Sequence, residues 1–199
     1  MIHTPREDAR ALSAMAHEVD TLRQSLPVAE DLDGSLDLVC ASHQLAALNS
    51  LVTWLSDEVL SRVADRRPVS DDRRRAVAAF CSATTDAGQA AAEFAGVYEQ
   101  LGFFYSVAGY HDSADLRDVR WHATTVAEDH LSATHNALQS AADTLHLTSV
   151  HLNSDAGPRA TAARSSTTTS TRIAASEALS SYPPAAVHIA ASGASRPAR

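Results

Sequence analysis

The chain has no lysine: all 16 of its basic residues are arginine. With abundant Ala, Ser and Thr, this reads as the codon bias of a high-GC genome and not as a functional choice. Aromatic residues make up only 5% of the 199 residues. A hydrophobic fraction of 45% still provides for a sizeable core, which must then be built from Ala, Leu and Val. The two cysteines, Cys40 and Cys81, form no Cys-x-x-Cys, which excludes the usual zinc and redox motifs. No apolar run approaches the roughly 18 residues of a bilayer span. The opening "MIHTPREDAR" has no apolar signal region. These absences lead to the expectation of a cytoplasmic protein without membrane insertion, with signal-less secretion as the alternative.

Chemical motifs are missing as well. There is no Gly-x-Ser-x-Gly elbow and no glycine-rich phosphate loop. "DLDGSLDLV" resembles a calcium loop only at Asp31 and Asp33. Gly34 falls at position 4 instead of 6, and Ser42 stands where a bidentate Glu is required. No Glu-x-x-His occurs, so the ligand set of a di-iron bundle is lacking. No catalytic residue, metal ligand or cofactor is therefore assigned, and a non-enzymatic protein is expected.

Net charge is −8 and unevenly spread. Residues 1–150 carry 11 Arg against 22 Asp and Glu; residues 151–199 carry 5 against 2. An acidic body repels a phosphate backbone, which makes nucleic-acid binding improbable. The arginines of "DRRPVSDDRRRAV" are interleaved with Asp and fit a helix start capped by Ser70, with Asp71 and Asp72 in its first turn.

What is present is helical periodicity. Thr4, Pro5 and Glu7 form a capping box ahead of Leu12, Met15, Val19, Leu22 and Leu26. Asp33 or Ser35 is the expected cap of a second helix with a heptad-like, coiled-coil-type stripe from Leu38 through Leu45 and Val52 to Val59. The third has the cleanest stripe, Phe80, Thr84, Ala87, Ala91, Phe94 and Tyr98. Asp112 or Ser113 caps the fourth. The helices are expected at 5–26, 35–66, 71–107 and 113–150, folding as an all-α, antiparallel up-down-up-down four-helix bundle over residues 1–153. Residues 154–199 are Ser/Thr/Ala/Pro-rich and read as a disordered tail.

Two places invite function. On a helical wheel His130 falls within the apolar arc of the fourth helix, with Thr134 one turn later. Hairpin arithmetic about residue 110 sets His130 level with Ala87 and Ala91, and Thr84 across the bundle is a possible partner. His130, Thr134 and Thr84 are thus the candidate interior polar site: a core histidine with hydrogen-bond partners, or the alternative of a small-ligand-binding or sensor site. No inward carboxylate is expected near it. The second place is an extra apolar strip on the second helix, Leu36, Leu51 and Trp54, with Cys40 and Ala47. A helix apolar on two sides either sits centrally or presents an interface. The strip is the candidate surface for a protein partner or a homodimer. Trp121 lies on the polar side of the fourth helix. Cys40 and Cys81 are offset by about 22 Å along adjacent helices, too far for a disulfide.

In outline the hairpins and Trp54 resemble the small secreted WXG100-type proteins. "TWLSDE" and "RWHATT" contain no Trp-x-Gly, and no tyrosine has an acid four residues on, so the chain is not placed in that family. The leading expectation is a bundle that acts through protein contacts as a scaffold, adaptor or regulatory partner.

Overall fold

The computed structural model describes residues 4–28, 37–64 and 70–165, the last eleven as backbone only. Four helices follow one another: α1 (Pro5–Ser25), α2 (Leu38–Val63), α3 (Asp71–Val107) and α4 (Ala114–Ser165). Among the described residues there is no strand.

Local chemistry explains most boundaries. The Thr4 hydroxyl accepts from the Glu7 amide while the Glu7 carboxylate accepts from the Thr4 amide, so two of the unpaired donors at the start of α1 are satisfied. Ser70 accepts from the Arg73 amide at the start of α3, with Asp71 and Asp72 in the first turn. Ser113 accepts from the Leu116 amide and starts α4. Two boundaries differ from the expectation. The cap of α2 is Asp37, whose carboxylate accepts from the Cys40 amide, so the helix begins at Leu38 instead of 35. Asp33 and Ser35 lie outside the described residues. α4 does not stop at 150 but continues to Ser165. The helical backbone thus runs into the segment read as tail, and residues 166–199 lie outside the described residues.

Long-range hydrogen bonds fix the directions. Ser149 Oγ donates to the Ala9 carbonyl, and His135 Nε2 meets the Pro27 carbonyl, so α1 and α4 run antiparallel. Ser42 meets Tyr98 near one end of α2–α3, and Arg73 donates to the Arg62 carbonyl at the other. Ser140 donates to Asp86, and Arg120 donates to the Val107 carbonyl, which pairs α3 with α4. The result is an up-down-up-down four-helix bundle.

Its packing is not fourfold even. α3 lies between α2 and α4, and α1 rests on α4, whereas α1 and α2 touch little. The central place of α3 follows from its alanines. Ala76, Ala79, Ala83, Ala87, Ala90 and Ala91 are all buried, and with Phe80, Phe94 and Val97 they cover two sides of the helix. Small side chains let α2 and α4 approach closely on either side. The leucines Leu12, Leu48, Leu55, Leu131, Leu138, Leu145 and Leu152 supply most of the remaining core volume.

One end is locked by a buried charge. Arg62 is 2% exposed. Its Nε donates to Asp8 of α1 at 3.0 Å, its Nη1 donates to the Glu58 carboxylate and carbonyl, and its guanidinium stacks 4.4 Å over the Phe80 ring of α3. A buried guanidinium is tolerable only when paired and hydrogen-bonded, and here three helices meet those needs.

Candidate functional site

The first candidate, His130, is not where the wheel put it. It is half-buried at the seam between α3 and α4, with its side chain 36% exposed. Its Nδ1 lies 2.8 Å from the Glu93 carboxylate, a partner the sequence reading excluded. The rest of the ring lies against Gly96, close enough that a Cβ there would sit 2.7 Å from Nε2 and Cδ2. His130 is therefore level with Glu93 and Gly96 and not with Ala87 and Ala91. The Ser140–Asp86 and Arg120–Val107 bonds show the same register, a mirror about residue 113 and not 110.

Thr134 is buried, but its hydroxyl donates to the His130 carbonyl on its own helix. Thr84 likewise donates to the Phe80 carbonyl and faces a separate groove toward α2, beside Val59 and Cys81. Tyr98, at the end of the α3 stripe, meets Ser42 of α2. The three residues of the interior polar site do not converge. What the structure brings together instead is a His130–Glu93 pair that ties α4 to α3 over a glycine. Glu93 was missed because it sits at the margin of the α3 stripe, where a wheel does not separate a seam position from an outward one.

The second candidate is assembled from α1 and α2. These helices are tied at both ends: Arg62 to Asp8 at one, and the Gln44 side-chain amide to the Ser25 carbonyl at the other. Between the ties they part and leave a groove of about 430 Å³. Thr21 and Leu22 form one wall; Ala47, Ser50 and Trp54 form the other. The short side chains of Ala47 and Ser50 leave the space, because nothing there is long enough to reach α1. Leu51 is buried and belongs to the core, so it forms the floor of the groove and is not part of an exposed strip. Trp54 is 55% exposed. Leu36, the third residue of the expected strip, lies outside the described residues.

α2 is unusual in another way. It is the one helix among the described residues that is long and apolar enough to cross a membrane, and only 22% of its most apolar window is buried inside the bundle. It contains no unbroken apolar run of about 18 residues, in keeping with the reading of the sequence. The helix carries Gln44, Asn49, Ser50, Thr53 and Asp57, polar side chains that are costly in hydrocarbon.

Elsewhere, a groove of about 640 Å³ between α3 and α4 is lined by Arg75, Ser82, Thr144, Thr148 and His151. Among the described residues no group of three or more His, Cys, Asp or Glu is arranged to hold a metal ion. His146 and His135 each turn to α1, toward Asp20 and the Pro27 carbonyl respectively. Cys40 and Cys81 are exposed free thiols. Arg62 and Arg73, the most deeply placed cations among the described residues, were not singled out from the sequence. The signal was present, since Arg62 continues the Leu48, Leu55 stripe by one heptad.

The fold and the open α1–α2 face place the chain in the class of antiparallel four-helix bundles with one incompletely closed seam. Set against models of known protein families, curated protein sequences and solved structures, the chain matches none.

Proposed function

We propose that this protein is a non-enzymatic helical-bundle scaffold or adaptor that works through protein contacts on its α1–α2 face. One observation carries the reading: Trp54 stands 55% exposed on the rim of a groove whose floor is Leu51 and whose far wall is Leu22. A large aromatic beside an apolar depression is the usual make-up of an interaction hot spot. The polar trio proposed for a ligand site, by contrast, is spent on intrahelical bonds and the Glu93 pair.

A photoreactive residue at Thr53, beside Trp54, tests this in the producing cell, with the same residue at Trp121 as control. Trp121 is also exposed, on the outer side of α4. Protein adducts are expected from position 53 and not from position 121. Absence of adducts at 53, or an identical set at both positions, would end the reading.

A further inference from the structure

Resting on that reading, we infer that the occupant of the α2 face is a second copy of this chain, with the two α2 helices antiparallel and crossing at Ser50. The inference starts from charge. Residues 38–56 contain no Asp, Glu or Arg, a run of five helical turns on a helix whose outer side no other described helix covers. Outward faces of surface helices are ordinarily charged. Here Val39, His43, Ala46, Ser50, Trp54, Asp57 and Ser61 are all exposed and fall in one stripe. An otherwise acidic body would keep two copies apart, and this stripe is where that repulsion is least.

The stripe is complementary to itself. Its steps, counted outward from Ser50, are 4, 3 and 4 in both directions. Turned about a two-fold axis at Ser50, the stripe sets Trp54 against Ala46, Asp57 against His43 and Ser61 against Val39 of the other copy. The largest side chain meets a small one, and the stripe's acid meets its only basic group. Ser50 and Ala46 at the crossing leave the helices free to approach closely. Each Trp54, 55% exposed, is then covered by the other copy at Ala46, which removes on the order of 100 Å² from water for each ring.

The test uses the full chain with Cys40→Ser and Cys81→Ser. Sedimentation equilibrium is expected to give twice the 21.1 kDa chain mass. Adding Ser50→Cys should give a disulfide-linked dimer on air oxidation, because only a position on the axis brings its own copy within bonding distance. Asn49→Cys, exposed but off the stripe, should not. His43→Asp should weaken the dimer by about tenfold or more by facing it with Asp57, and adding Asp57→Arg should restore it, with helicity unchanged throughout. A monomer at every concentration with no Ser50→Cys crosslink overturns the inference. So does a dimer that appears only once residues 166–199 are deleted, which would make the tail the occupant, or partition of the chain into lipid vesicles with α2 protected. Adducts at Thr53 to other proteins alone would overturn the second copy yet leave the contact function standing; no adducts at all would remove both.

Discussion

At the residue scale, the sharpest determinant is Gly96. Glycine inside a helix costs about 0.5–1 kcal/mol relative to alanine. Gly88 and Gly102 have nothing within 4 Å of where a Cβ would stand, so Gly88→Ala and Gly102→Ala should each stabilise the bundle by about that amount. Gly96→Ala must instead push aside the His130 ring, 2.7 Å away, and break its bond to Glu93. It should destabilise by about 1–3 kcal/mol, the ordinary cost of overpacking. In a His130→Ala background the same change should become stabilising. Urea unfolding of the three glycine variants, of His130→Ala and of the double variant reads all four signs; Gly96→Ala behaving like Gly88→Ala and Gly102→Ala would show that the ring does not rest there. The pair itself was only half legible. The wheel found His130 near the seam, but it could not find Glu93, because a contact between two helices depends on their register and not on either stripe.

At the element scale, the helix starts were the most readable features. The Thr4 box, Ser70 and Ser113 each act within three residues of themselves, so local sequence suffices to place them. The α2 start was misplaced because several residues between Asp31 and Asp37 could cap, and propensity does not choose among them. What joins the elements is Arg62, whose place one heptad after Leu55 sets it on the core stripe but does not say which anion of another helix receives it. Asp8→Ala leaves the Arg62 guanidinium with Glu58 as its remaining anion and its Nε without a partner, and should cost about 1–3 kcal/mol. Asp8→Ala combined with Arg62→Met should cost clearly less, since the under-satisfied charge is then gone and the thioether can still pack on Phe80. Equal losses in the single and double variants, measured by chemical denaturation, would mean that Arg62 reaches solvent once Asp8 is removed.

At the scale of the whole molecule, stability and assembly are expected to be coupled. α1 and α2 touch little, so the bundle leaves its α1–α2 seam unsealed. A second copy lying over that seam binds only the folded chain and must raise its melting temperature by mass action. The thermal midpoint should therefore rise with protein concentration in the native chain. In Trp54→Glu it should be independent of concentration; a native midpoint equally independent would separate stability from assembly.

The amino-acid order by itself determined four amphipathic helices, most of their caps and their alternating direction. Those properties rest on 3.6-residue periodicity, on side chains bonding to nearby amides and on connections of a dozen residues or fewer, which favour antiparallel neighbours. Tertiary structure alone decided that α3 lies between α2 and α4, that α1 and α2 part between their two ties, that Leu51 is core while Trp54 is not, and that His130 meets Glu93. Each of these depends on how far one helix slides and turns against another, a quantity summed over many small contacts and written in no single stretch of chain.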